Sequence, residues 1–165
     1  IIFARIHQII YDSGGMVDKH LGDGLMAVFG LGGGLGVTAG IEAARGIVEA
    51  FPGVLQGLGG GEYESLKLSV GLAAGQGVLG MVGTERRAEL AIIGQPANLA
   101  ARLQEFTKVA LASDAGREIL GEFKHSMALL EPNLVDGMES FKRVSLNGLK
   151  VRDFESLEEL GVISF

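Results

Sequence analysis

Four polar residues in two short segments have the types and spacing that could do chemistry. Asp23 lies in a Gly-Asp-Gly turn, where a rigidly held carboxylate would suit a hard divalent cation. Lys19 lies on a stretch that should be half buried, so its ammonium group needs a phosphate, a base edge or a carboxylate as partner. Asn98 and Arg102 are spaced i and i+4, so on a helix they share one face that could bind an anion or a hydroxyl group.

Each of these residues also has a structural explanation. Aspartate is common in turns, a strand-edge lysine can reach water along its aliphatic chain, and Asn98 with Arg102 could form a solvated polar face. A phosphate-binding loop is disfavoured, because the glycine run at residues 30–36 is not followed by the Gly-Lys-Ser/Thr of that motif. The chain has no cysteine, which excludes disulfides and thiolate sites.

The elements that must position these residues can be predicted from periodicity. The spacing of Ile6, Ile9 and Ile10 predicts a helix that ends at Gly14-Gly15. Two apolar-rich strands around the Gly-Asp-Gly turn predict a β-hairpin. A second helix is expected over about residues 37–51, with a loop or frayed helix end from residue 52 to residue 61.

The second half of the chain mixes strands with helices. Strands are predicted over residues 66–72, 76–82 and 88–93. A helix follows from Gly94-Gln95-Pro96 to about Phe106, because proline favours the first helical turn. A short strand over 109–112, a helix from its N-cap Ser113 to Phe123, and two or three further strands complete the chain. The order predicts an α+β fold, a sheet with helices on one face.

Composition limits the class of protein. The chain has 165 residues, 47% of them hydrophobic, which fits a single domain spanning residues 1–165. Its net charge of −6 argues against nucleic acid as a partner, since that requires clustered Lys and Arg. Glycines interrupt the longest uncharged stretch, so it is not expected to span a membrane. The absence of cysteine is compatible with a cytoplasmic domain.

Taken together, three motifs resemble the catalytic domain of class III adenylate and guanylate cyclases over roughly residues 6 to 150. Residues 17–30 (VDKHLGDGLMAVFG) resemble the family's hairpin, and residues 92–103 (IIGQPANLAARL) resemble its Val-Asn-Leu-Ala-Ala-Arg helix. Between them, residues 69–75 and 80–84 resemble a glycine-containing strand pair. Each motif is moderately specific, and their conjunction is highly specific.

The resemblance implies a ferredoxin-like α+β core, a mixed, mainly antiparallel sheet with helices packed on it, which acts as a homodimer. It also implies conversion of ATP, or GTP, to the cyclic 3′,5′-monophosphate and pyrophosphate with two Mg²⁺ or Mn²⁺ ions. By position, Asp23 matches a metal-binding Asp and Lys19 matches the purine-recognising Lys. Asn98 matches the Asn that orients the ribose, and Arg102 matches the Arg that stabilises charge on the phosphate.

Three positions depart from the family pattern. Ala91 stands where a base-selecting Asp or Thr is usual, and Asn147 stands where a triphosphate-binding Lys is usual, with Lys150 nearby as a substitute. Ile1 to Ala4 resemble the opening of the family's first strand, but Arg5 follows where the other metal-binding Asp belongs. We therefore expect segments to be missing near residues 4–5 and 30–34, and the sequence to be a fragment of a longer protein.

The leading interpretation is an adenylate cyclase domain, with guanylate cyclase as the other possibility because Ala91 leaves the base open. We expect a nucleoside triphosphate as substrate, an upstream sensor or regulatory domain as partner, and membrane attachment only through other domains. The alternative is a catalytically inactive cyclase-homology domain that serves dimerisation or nucleotide binding.

Overall fold

Helices and strands alternate irregularly along the computed structural model, which describes residues 1–31, 33, 35–59, 61–121, 126–135 and 141–164. The described helices are α1 (Ile2–Asp12), α2 (Gly36–Gly57), α3 (Gln95–Leu111) and α4 (Asp114–Leu120). The described strands are β1 (Met16–Leu21), β2 (Gly24–Val28), β3 (Leu68–Leu72), β4 (Val78–Thr84), β5 (Arg87–Ile93), β6 (Ser126–Leu130), β7 (Lys142–Ser145) and β8 (Glu159–Ser164). Short 3₁₀ turns cover Gly61–Ser65 and Pro132–Val135.

A four-stranded mixed sheet forms the centre, in the order β3-β6-β8-β7. Strands β3 and β6 are parallel, and the other two pairs are antiparallel. Every residue of β6 is buried, because apolar side chains on both of its faces meet a helix. Met127 and Leu129 belong to the cluster containing α3, whereas Ala128 and Leu130 pack with α2. The α+β prediction is confirmed, but helices cover both faces of the sheet rather than one.

The predicted hairpin of β1 and β2 and the later pair of β4 and β5 form two separate two-stranded sheets, so β4 pairs with β5 and not with β3. Strands β1 and β2 are antiparallel, and Leu21 pairs with Gly24 across the two-residue turn. Gly22 has a φ of +64° in this turn, a conformation that glycine adopts at no steric cost. Strands β4 and β5 pair over all seven residues of each strand.

Helix α2 continues through Pro52 to Gly57, so the first part of the predicted loop or frayed helix end over residues 52–61 is helical. Pro52 has no N–H, so it cannot donate the helical hydrogen bond to the carbonyl of Val48. The hydroxyl of Ser126 donates to that carbonyl instead, at 2.7 Å. Phe51 and Leu55, one helical turn apart, are both buried, so packing on either side of the proline holds the last turns in place.

Helix α3 is longer than predicted, because residues 109–111 continue it rather than form a strand. Phe106 and Ala110 are both buried in the cluster that covers the sheet, and their spacing of four is helical rather than extended. The predicted cap of the next helix is confirmed, since the Ser113 hydroxyl accepts a hydrogen bond from the Gly116 N–H at 3.1 Å. Phe123, the predicted end of that helix, lies outside the described residues.

The first residues are helical. Residues 2–4 form the first turn of α1 rather than the opening of a strand, and Arg5 follows within the same helix. Ile6 and Ile10 are buried against Ile47 of α2, which explains why the segment is held as a helix. That segments are missing near residues 4–5 and 30–34 stays a prediction, and residues 32 and 34 lie outside the described part.

None of the helices in the described part of the chain is both long enough and apolar enough to cross a membrane.

Candidate functional site

Lys19 lies on β1 beside a buried carboxylate that the sequence analysis did not single out. The register of β1 against β2 shifts between Val17 and Lys19, so Asp18 occupies a bulge, a feature that redirects side chains in strands. The Asp18 side chain is 1% exposed and lies 3.4 Å from the Lys19 ammonium nitrogen. Among the described residues, neither Asp18 oxygen has a hydrogen-bond partner, and Lys19 is the charged group beside it.

Asp23 is exposed at the tip of the β1–β2 turn. Its position suits a cation ligand, but a two-metal site needs more than one carboxylate. Among the described residues, no group of three or more His, Asp or Glu side chains could hold a metal ion. The two Mg²⁺ or Mn²⁺ ions therefore stay a prediction, with Asp23 as the residue that would hold one of them.

Asn98 and Arg102 lie one turn apart on α3, which packs closely on β3. A Cβ atom on Gly71 of β3 would lie 1.9 Å from the backbone oxygen of Ala100. Glycine at this position therefore lets the helix and the strand approach. Leu99 and Leu103 of α3 are buried in the core, which fixes the rotation of the helix and leaves Asn98 exposed.

Arg102 is engaged by two acidic side chains. Its Nε donates to Asp153 Oδ2 at 2.9 Å and its NH1 donates to Glu105 Oε2 at 3.0 Å. Arg152 also contacts Glu105, at 3.1 Å. The pKa of Arg102 is raised, and the largest cause is its hydrogen bond to Glu105. Desolvation comes next and lowers it, whereas the hydrogen bond and charge of Asp153 and the charge of Glu105 raise it further. The Arg102 guanidinium therefore has anionic partners within the chain, 30% of its side chain remaining exposed.

Ala91 lies on β5, paired with Gly80 of β4. Strand β5 contacts β1, so the strand of Ala91 and the strand of Lys19 are neighbours in one chain. The methyl group of Ala91 offers no hydrogen-bonding atom, so this side chain cannot recognise a base by hydrogen bonds.

Asn147 lies at the other side of the molecule. It follows β7, has a φ of +47°, and lines an open cleft with residues of α4 that include Glu118. Strand β7 is three positions from β3 in the sheet, about 14 Å away at the usual spacing between strands. The β1–β2 hairpin packs with residues of β3. The chain therefore keeps Asn147 apart from Lys19 and Asp23. Lys150 donates to the Glu155 carbonyl at 3.0 Å.

The sequence is similar to one adenylate cyclase and to several uncharacterized proteins over part of its length. It is 33% identical over 100 residues to the terminal-differentiation-specific adenylate cyclase of Dictyostelium discoideum, covering 60% of this chain and 5% of that protein. Two uncharacterized proteins of Mycobacterium tuberculosis are 35% and 38% identical over 96 residues, each match covering 57% of this chain and 16% of the relative. The chain thus spans a small part of these relatives. No family model matches it.

Solved structures match nearly the whole chain. The adenylyl cyclase CyaB from P. aeruginosa superposes with a TM-score of 0.72 at 20% identity, covering 99% of this chain and 79% of that one. The guanylyl cyclase Cya2 superposes with a TM-score of 0.67 at 17% identity, covering 98% of this chain and 74% of that one. Adenylyl and guanylyl cyclases thus match similarly, so the fold does not select the base.

The chain therefore has the fold of the class III nucleotidyl cyclase catalytic domain, as the sequence motifs predicted. It is a distant homologue of the Dictyostelium adenylate cyclase and of the mycobacterial proteins. Sequence reasoning missed Asp18, Glu105 and Asp153. An aspartate within a strand is unusual and could have drawn attention to Asp18, whereas Asp153 is 51 residues from Arg102 and no local pattern links them.

Proposed function

We propose that this domain is a nucleotidyl cyclase that converts ATP, or GTP, to the cyclic 3′,5′-monophosphate and pyrophosphate. The observation that carries the proposal is that a chain with the cyclase fold places Lys19 and Asp23 on one hairpin, and Asn98 and Arg102 on one helix face. These side chains offer an ammonium, a carboxylate, an amide and a guanidinium, the groups that a charged, hydroxyl-bearing substrate would require.

The reaction forms one bond and breaks one. The 3′-hydroxyl oxygen of the ribose attacks the α-phosphorus, the bond from that phosphorus to the bridging oxygen breaks, and pyrophosphate leaves while the hydroxyl proton passes to solvent. In the proposal Lys19 binds the base, Asn98 orients the ribose, and Arg102 stabilises the charge that builds on the phosphate, a type of contribution that is worth about 3 kcal/mol or more at a water-excluded site.

Arg102 must exchange partners to act in this way. Its guanidinium now binds Asp153 and Glu105, and a phosphate offers the same planar, bidentate anionic contact. Substrate would therefore compete with Asp153 for Arg102. No step of the proposal passes through a metal at Asp23, because among the described residues no group of three or more His, Asp or Glu side chains could hold a metal ion.

A homodimer is part of the proposal. The β4–β5 hairpin exposes apolar side chains on both of its strands, including Val78, Met81 and Ile93 at 69%, 66% and 59% exposure. A two-stranded hairpin is marginally stable by itself in water, and an exposed apolar patch of this kind marks an interaction surface. A second copy of the chain would cover it.

A catalytically inactive cyclase-homology domain is the second candidate. The ion pairs of Arg102, the apolar Ala91 and the absence of a metal-binding cluster among the described residues favour a domain that dimerises or binds nucleotide without turnover. Both candidates share the fold and the hairpin interface, so only a measurement of product separates them.

The test is product formation by protein expressed from the complete gene. The protein is incubated with Mn²⁺ or Mg²⁺ and either ATP or GTP, and the cyclic nucleotide and pyrophosphate are measured by mass spectrometry. Asp23→Asn and Arg102→Ala test the two segments, and Asp12→Asn on the exposed end of α1 is the matched charge control. Cyclic product that disappears in the first two variants and persists in the third supports the cyclase.

Other outcomes of the product assay point to specific alternatives. A folded dimer that binds ATP or GTP but forms no cyclic product supports the inactive module. Product that persists in Arg102→Ala would remove Arg102 from the mechanism and leave the cyclase assignment standing. Analytical ultracentrifugation of the same samples tests the dimer separately from the chemistry.

A further inference from the structure

Two histidines from different elements point their ring nitrogens at each other. His7 of α1 and His20 of β1 have their Nε2 atoms 3.2 Å apart. The ring centroids are 5.1 Å apart and the ring planes are inclined by 25°. Because the nitrogens are nearer to each other than the centroids are, the rings meet by their Nε2 edges rather than face to face.

Neighbouring aromatic rings hold this pair in place. Phe3 packs edge-on against His20 at a centroid distance of 5.1 Å, and Tyr11 packs edge-on against His7 at 5.9 Å. Phe3, His7 and Tyr11 are spaced four residues apart and therefore share one face of α1. On the adjacent face, buried Ile6 and Ile10 fix the helix to the core, so packing sets the position of α1 beside β1.

The spacing fits a transition-metal cation. Zn²⁺ binds histidine nitrogens at about 2.0–2.1 Å with tetrahedral angles, which places two such nitrogens about 3.3 Å apart. The Nε2–Nε2 distance of 3.2 Å therefore suits either a proton shared between two imidazoles or a metal ion that replaces that proton. Both nitrogens can be lone-pair donors only when both rings carry their proton on Nδ1.

We propose that His7 and His20 form a two-imidazole binding site for a divalent transition-metal ion such as Zn²⁺. Imidazole suits Zn²⁺, Ni²⁺ and Cu²⁺, whereas Mg²⁺ and Mn²⁺ prefer carboxylate oxygens. The site is thus distinct in chemistry from any metal that Asp23 would bind, and it does not depend on the proposed cyclase activity.

The described residues supply two ligands and no third His, Asp or Glu close enough to complete a cluster. Water fills the remaining positions, so the ion is exchangeable rather than locked in as at a closed four-ligand site. Its physical effect is to join α1 to β1. Since His20 directly follows Lys19 and precedes the turn of Asp23 by two residues, the ion restrains the hairpin that carries both.

The site is tested by titrating the tag-free, metal-stripped protein with ZnCl₂ in a non-chelating buffer. Isothermal titration calorimetry gives affinity and stoichiometry, and thermal unfolding with and without Zn²⁺ gives the shift in melting temperature. His7→Phe and His20→Phe keep an aromatic ring and remove one ligand each. Tyr11→Phe and Asp23→Asn are the controls, the first for the ring contacts and the second for the carboxylate site.

We expect one Zn²⁺ per chain and a higher melting temperature with the metal. Loss of even an outer-shell partner costs about 10- to 100-fold in metal affinity, so each Phe variant should bind at least about tenfold more weakly, with both controls unchanged. Zinc-induced shifts of the imidazole Nε2 resonances in the wild-type protein provide a readout that needs no variant to fold.

Two results would overturn the site. One is wild-type protein that binds no Zn²⁺ and shows no change in the His7 and His20 resonances. The other is binding that survives both Phe substitutions, which would place the ion elsewhere, for instance at His125, which lies outside the described residues.

Discussion

Replacing Ser126 by alanine should expose the cost of a proline within a helix. Pro52 leaves the Val48 carbonyl of α2 without its helical donor, and the fully buried Ser126 hydroxyl supplies a replacement at 2.7 Å. Ser126→Ala removes that donor, adds no bulk, and leaves the carbonyl buried. Leaving one buried acceptor unsatisfied costs about 1–3 kcal/mol.

The expected loss is measurable as a change in melting temperature. For a chain of this length, 1 kcal/mol corresponds to about 2–4 °C, so Ser126→Ala should unfold several degrees below the wild type. The free energy of unfolding from urea titration should fall by the same 1–3 kcal/mol, at about unchanged slope with denaturant concentration.

A double-mutant cycle tests the cause rather than the size of the effect. Pro52→Ala restores an N–H that can donate to the Val48 carbonyl, so Ser126→Ala should cost much less in that background. The coupling between the two positions should be about 1–2 kcal/mol, within the range for residues that share a partner. If Ser126→Ala lowers the free energy of unfolding equally in the wild type and in the Pro52→Ala variant, the reasoning is refuted, whatever the stability of each variant.

Three further predictions concern the site. Gly71→Ala should destabilise the fold by about 1–3 kcal/mol in urea titration, because its Cβ collides with the backbone of α3, whereas Gly80→Ala, with open space at its Cβ, should cost less. Asp153→Asn should strengthen binding of a non-hydrolysable ATP analogue in calorimetry, because it weakens a competing anionic partner of Arg102. Met81→Lys, at a side chain 66% exposed on the β4–β5 hairpin, should shift the dimer towards monomer in analytical ultracentrifugation without lowering the melting temperature of the monomer.

Each of these has an opposing outcome. Equal stability of Gly71→Ala and Gly80→Ala would mean that the close contact between α3 and β3 relaxes at no cost. Weaker nucleotide binding by Asp153→Asn would mean that Asp153 positions Arg102 for phosphate instead of competing with it. An unchanged sedimentation profile for Met81→Lys would place any dimer contact away from the β4–β5 hairpin.

Much of the secondary structure could be predicted because it depends on neighbours in sequence. The β1–β2 hairpin follows from the glycine that allows a positive φ at Gly22, and the start of α4 follows from the Ser113 cap. The errors fell where packing outweighs local preference. The segment after Phe106 was predicted to leave the helix, but burial of Ala110 against the sheet holds it in α3.

The candidate site was predicted in composition rather than in its contacts. Lys19, Asp23, Asn98 and Arg102 could be selected from their types and spacing, and their roles stay predictions. The contacts of these residues could not be predicted in the same way. Asp18 lies buried beside Lys19 because a bulge forms where β1 pairs with β2, and local sequence does not specify strand register.

The sequence by itself therefore determined the elements, the cyclase-like motifs and the residue types available for chemistry, since these depend on interactions over a few residues. Only the tertiary structure decided that helices cover both faces of the sheet, that Ser126 satisfies the carbonyl freed by Pro52, that Arg102 binds Asp153, and that His7 meets His20. Those contacts join residues between 13 and 78 positions apart, and the packing of buried apolar surfaces, which no local pattern encodes, brings them together.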